Sequence, residues 1–132
     1  MPDATAPGSN PAPGFARKPE HVVAFRPAGK RVTVRLGGEA IAESDRAILC
    51  EETGHGPVYY LPMADSRAHL FRPTATRSYC PFKGEASYWS VAAGGTDVRD
   101  VAWSYDLPYD EAVLIRGHMA FYPSRVDSIE IG

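Results

Sequence analysis

From His21 onward the chain runs as short alternating stretches of apolar and polar residues, each ended by glycine, proline or a small polar turn. That rhythm is the two-residue side-chain period of a β-strand, and it constrains the fold more than any other feature. "KRVTVRL" shows it most clearly: Val32, Val34 and Leu36 face one way, Arg31, Thr33 and Arg35 the other. Gly37-Gly38 follows as a two-residue hairpin turn, because both glycines tolerate the positive φ such a turn needs. "HVVAFR", "EAIAES", "RAILCEE" and "VYYLP" read as further strands, as do "DVRDVAWSY", "GHMAFYP" and "VDSIEI". "MADSRAHLF" is the best helix candidate, opened by Pro62 with Asp65 in its first turn. "DLPYDEAVLI" reads as a loop with a helical turn. The fold class is therefore mainly β, about eight or nine short strands in a sandwich or rolled, tent-like sheet with one or two short helices.

A length of 132 residues predicts one domain. Its expected extent is 21–132, because residues 1–20 are Pro, Ala, Gly and small polar residues with Phe15 as the one large apolar group. Such a segment buries too little surface to offset its ordering entropy and is expected to be a flexible tail, with docking of Phe15 as the alternative. The seven Tyr, five Phe and two Trp suit pleated surfaces and support the β reading.

Charge narrows the functional classes. Fourteen basic against sixteen acidic side chains give a net charge of −2, mixed along the chain. A nucleic-acid binder carries a basic surplus or stripe, so no nucleic-acid partner is expected. No apolar run is long enough to cross a bilayer and the N-terminus lacks a signal-peptide core, which predicts no membrane partner and a cytoplasmic location. Cys50 and Cys80 are the only cysteines and are read as reduced thiols, Cys50 within an apolar strand. No CxxC or HxxxH pair occurs and the four His are scattered, so neither a metal site nor a cofactor is expected.

"CPFKGEASYWSV", residues 80–91, concentrates what remains. Read as a hairpin with Pro81-Phe82-Lys83-Gly84 as a four-residue loop, it sets Cys80 opposite Glu85 and Tyr79 opposite Ala86. The next pairs are Ser78 with Ser87, Arg77 with Tyr88 and Thr76 with Trp89. Cys80, Glu85, Ser78, Ser87, Thr76 and Trp89 would then share one face, and a slip of one residue would exchange the faces. Cys80 and Lys83 are the candidate catalytic pair, since a thiol reacts as thiolate and a nearby cation favours that form. Tyr88, Trp103, Tyr105, Arg77 and Glu85 are the candidate ligand-binding residues, the aromatics for stacking on a planar ligand. The plainer alternative makes Cys80 a buried cap of the sheet and Lys83 a solvated loop residue.

"IAES", "VYYLP", "YCPFKGEASYWSV", "AWSYDLPY" and "GHMAFYPSRVD" occur in this order, and together the chain resembles the bacterial and fungal DUF427 family, a domain of unknown function. The likeness spans about residues 21 to 131. Its signature positions are filled by Cys80, Pro81, Lys83, Gly84, Ala86 and Tyr88, then Ala102, Trp103 and Tyr105, then Phe121, Tyr122 and Val126. The resemblance implies a compact β-rich fold without a settled activity, under a nucleotidyltransferase label. Nucleotidyl transfer relies on metal-bound carboxylates, and Asp97, Asp100, Asp106 and Asp110 form no DxD pair on one strand. Three readings follow: a small-molecule binding domain with its pocket at the CPFKG turn, an interaction or structural module without chemistry, and nucleotidyl transfer. The first is favoured, because turn geometry and packing explain every residue of the block except Cys80 and Lys83 together. Its partner would be a small molecule of unspecified identity, in a monomer or homodimer.

Overall fold

The structure, a computed structural model, describes residues 10–132. Ten strands form two antiparallel sheets, slightly more than the eight or nine expected. They are β1 (Val23–Pro27), β2 (Val32–Leu36), β3 (Glu39–Ser44), β4 (Ile48–Glu52), β5 (Val58–Pro62), β6 (Phe71–Cys80), β7 (Gly84–Ala93), β8 (Thr96–Tyr105), β9 (His118–Phe121) and β10 (Ser128–Ile131). Seven of them make the large sheet in the order β1-β4-β5-β9-β8-β7-β6, and three make the small sheet, β10-β2-β3.

The small sheet covers one face of the large one. Val32, Val34, Leu36 and Ile41 from the small sheet meet Leu61, Val91, Val101, Met119 and Phe121 from the large sheet in one buried cluster. Val32 and Val34 have no exposed surface, and burial of each stabilises the domain by about 1.5–3 kcal/mol. Because successive side chains alternate, the same strands send Cys50, Tyr60, Ala86, Tyr105 and Ala120 to the opposite face, where a second cluster forms with Ala112 and Ile115. That second face carries the candidate site.

Two tight turns pin the sheets together at one end. Gly37 and Gly38 have φ of 60° and 80°, as the hairpin reading requires, and Gly94 and Gly95 have φ of 55° and 78° between β7 and β8. The two turns press backbone to backbone, so a Cβ at Gly37 would run into the Ala93 carbonyl and one at Gly94 into the Gly37 carbonyl.

The helix expected over "MADSRAHLF" does not form. Met63–Asp65 and Ala68–Leu70 are separate single 3₁₀ turns, and Phe71 already begins β6. Ser66 stops the first turn: its N–H and its hydroxyl both donate to the Met63 carbonyl, at 3.1 and 2.6 Å. The chain then pairs with β3, through the Ala42–Ser66 bridge and the Arg67 N–H donating to the Ile41 carbonyl at 2.8 Å. A sheet edge thus takes up the backbone groups that a helix would have used internally. The turn expected in "DLPYDEAVLI" is present as the 3₁₀ segment Asp110–Ile115.

Residues 1–9 of the expected tail lie outside the described residues, but residues 10–20 dock on the domain. Asp110 and Glu111 carboxylates accept the Asn10 and Ala12 N–H groups at 3.0 and 2.9 Å, and Gly14 N–H donates to the Pro81 carbonyl at 2.9 Å. Phe15 meets Phe82 edge to face at 4.9 Å between centroids. The backbone groups and single phenyl ring of this stretch find partners on the 80–84 turn and the 110–115 segment.

Candidate functional site

The β6–β7 hairpin differs by one residue from its expected register. Cys80 pairs with Gly84, Tyr79 with Glu85, Ser78 with Ala86 and Arg77 with Ser87, so the loop is three residues, Pro81, Phe82 and Lys83. Gly84 makes this possible with φ of 126°, and the Lys83 N–H donates to the Cys80 carbonyl at 3.2 Å across the turn. The faces change accordingly. Cys80 and Ser78 share a face with Ala86 and Tyr88, and the cross-strand partners Tyr105 and Trp103 of β8 extend that face. Glu85 is exposed on the other side. Arg77 is exposed too, its guanidinium spent on the Thr74 and Thr76 carbonyls at 2.9 and 2.8 Å.

The tight turn throws two side chains inward. Phe82 is buried between Phe15 and the His21 ring, which stacks on it at 4.1 Å and 21°. Lys83 is 6% exposed, and its ammonium donates to Glu52 Oε1 at 2.5 Å. Glu52 ends β4, and its other oxygen lies 2.8 Å from His21 Nε2 and 3.9 Å from His55 Nε2. Burial alone would push the Glu52 carboxyl up, but hydrogen bonds from Lys83 and His21 and the charge of Lys83 outweigh it and hold it below its ordinary value. Lys83 also donates a long hydrogen bond, 4.0 Å, to Cys80 Sγ.

These groups form one end of a cavity of about 480 Å³. Cys80, Lys83, Tyr88, Trp103 and Tyr105, five of the seven sequence candidates, line it; Arg77 and Glu85 do not. Its wall is aromatic. Trp103 lies 4.5 Å from Tyr122 and meets Tyr60 edge to face at 6.3 Å, while Tyr88 and Tyr122 run almost parallel, 9° apart. Hydroxyls are chained along it, Ser78 with Tyr88 at 2.8 Å and Tyr122 donating to Tyr88 at 3.3 Å. Burial and the Tyr88 hydrogen bond push the Tyr122 phenol up to about 12. Cys50 also borders the cavity, 2% exposed, its thiol pushed up to about 11 by burial.

Glu52, His21 and Tyr60 are functional candidates that sequence reasoning missed. Glu52 ends an apolar strand as any solvated residue would, and His21 sits at the edge of the supposed tail, so neither carries a spacing signal. Among the described residues Glu52 is the single carboxylate in the cavity lining. The aspartates are engaged elsewhere: Asp97 with Arg72, Asp100 with Thr74 and Thr76, Asp106 with Ser87 and Asp110 with Asn10. Among the described residues no group of three or more His, Cys, Asp or Glu is placed to hold a metal ion, and no helix is long and apolar enough to cross a membrane.

The family described as Domain of unknown function (DUF427) matches residues 24–132. The chain belongs to the DUF427 family. Among curated proteins, none matches it. The part of the chain that matches DUF427 contains Glu52, Cys80, Lys83 and the aromatic wall, whereas Lys18 and His21 reach the cavity from the segment preceding it.

Proposed function

We propose that this DUF427 domain binds a small molecule in the aromatic cavity on the open face of its large sheet. The observation that carries the reading is Lys83. A lysine at a hairpin tip ordinarily extends into water, because burying its charge is costly unless it is paired. Here it turns inward, pairs with Glu52 and stands beside Cys80 at the end of an open hollow. A volume of about 480 Å³ falls in the size range of ligand sites, and an apolar wall with a few convergent polar groups is their usual make-up. Nucleotidyl transfer would call for paired carboxylates beside a cationic cleft, and among the described residues Glu52 has no second carboxylate in the lining.

A thermal-shift screen with nucleotides, acyl-thioesters, sugars and aromatic acids, run on the wild type and on Trp103→Phe and Cys80→Ser, tests the reading. At least one class should raise the melting temperature of the wild type and raise it less in a variant. An unchanged melting temperature across the whole panel would leave the domain a module without a ligand.

A further inference from the structure

We infer that the cavity selects a planar aromatic carboxylate, its ring lying against Tyr88, Trp103 and Tyr122 and its carboxylate taking hydrogen bonds from the Tyr105 hydroxyl and the Lys83 ammonium. The inference rests on the small-molecule reading above and adds shape and charge to it.

Tyr105 supplies the first observation. Its side chain is 7% exposed and borders the cavity, yet among the described residues its hydroxyl has no hydrogen-bond partner. Among the described residues no fully enclosed side-chain nitrogen or oxygen lacks a partner, so the hydroxyl opens onto free space, and the cavity is the space it borders. An unpaired polar group so nearly buried is costly to leave unmade. Burial, with the nearby Cys80, Tyr88 and Glu52, pushes the phenol above its ordinary range, so it stays an O–H donor at any physiological pH. Its natural complement is an acceptor on a ligand.

Lys83 supplies the second. An ammonium has three donors. One is committed to Glu52 and one makes the long contact to Cys80, which leaves a third for an incoming acceptor.

Charge decides between acceptors. Among the described residues the lining holds two lysines, Lys18 and Lys83, against one carboxylate, Glu52, whose two oxygens are already taken by Lys83 and His21. The balance is positive before either cavity histidine is counted, which favours an anion and disfavours a cation. It is also small. A nucleoside di- or triphosphate would bring several negative charges to a site whose buried lysine is already neutralised, whereas a carboxylate brings one. The tilted Trp103–Tyr122 pair and the Tyr88 ring alongside offer a flat body a broad aromatic surface.

The test uses the full chain, isotopically labelled, titrated with naphthoate, naphthamide and naphthylmethylammonium. The readout is the indole N–H resonance of Trp103, with that of Trp89 as internal reference, since Trp89 donates to Ser104 and packs in the core between the sheets. Naphthoate should shift the Trp103 resonance saturably and bind about ten-fold tighter than naphthamide, the charged ligand losing most without its ionic partner. The ammonium should not bind. Tyr105→Phe should weaken naphthoate about ten-fold while the remaining spectrum stays that of the wild type. Naphthamide or the ammonium binding as tightly as naphthoate, or Tyr105→Phe leaving naphthoate unaffected, overturns the inference and leaves the cavity a ligand site of another class. No shift from any of the three at millimolar concentration also overturns it, and the broader thermal-shift panel then decides the small-molecule reading separately.

Discussion

Lys83 Nζ lies 2.5 Å from Glu52 Oε1, a contact between the tip of one hairpin and the end of a strand 31 residues away in sequence. The side chains are 7% and 11% exposed, so both charges depend on each other for solvation lost on folding. The pair ties the β6–β7 turn to β4 and shapes the end of the cavity.

Breaking the pair from one side should therefore be worse than removing it. Lys83→Met leaves Glu52 with His21 and the more distant His55 and should cost about 3 kcal/mol in urea unfolding. Adding Glu52→Gln to the same chain should restore more than half of that loss, because no unpaired charge then remains. Equal stability of the single and double variants would contradict the coupling.

Acid should erase the contribution of Glu52. Its carboxyl sits below the ordinary value of 4.5 in the folded protein, so the unfolded chain binds its proton first as the pH falls. The stabilisation is complete above the unfolded value and disappears as pH drops through the folded one. The stability gap between wild type and Glu52→Gln should shrink as the pH falls below the ordinary carboxyl value of 4.5. A gap independent of pH would place the stabilisation elsewhere.

The two thiols should separate kinetically. Cys80 borders the cavity and is partly exposed, while Cys50 is 2% exposed with its thiol pushed up to about 11. In the native protein a disulfide reagent should titrate one thiol quickly, lost in Cys80→Ser, with the second appearing only on unfolding. Rapid labelling of Cys50 would show that the second cluster, on the face opposite the small sheet, opens readily.

Gly84→Ala should destabilise the domain by about 1–3 kcal/mol. The residue has φ of 126°, and an added Cβ would stand 3.3 Å from the Leu107 carbonyl oxygen. Gly56→Ala, where nothing lies within 4 Å, serves as control and should be near neutral in a thermal melt.

Phe15→Ala should loosen the docked N-terminal segment. Losing its edge-to-face contact with Phe82 should cost about 1 kcal/mol and speed amide exchange at Gly14, whose N–H donates to the Pro81 carbonyl. Unchanged exchange there would mean that the backbone bonds alone hold the segment.

Strand content, the Gly37-Gly38 turn and the burial of Cys50 were all written in local sequence, because a two-residue period and turn chemistry depend only on near neighbours. Cys80 and Lys83 were legible as candidates because packing and turn geometry left the two together unexplained, and Tyr88, Trp103 and Tyr105 because aromatic rings can stack on a planar ligand. The hairpin register was not, since a three- and a four-residue loop fit the same letters until Lys83 finds Glu52 and Phe82 finds His21. That one-residue difference moved Glu85 off the face that Cys80 occupies and brought Tyr88 onto it, while Arg77 stays on the opposite face in either register. Only the folded chain could bring Glu52 and His21 to Lys83, because charges distant in sequence interact through space, and space is what the two packed sheets arrange.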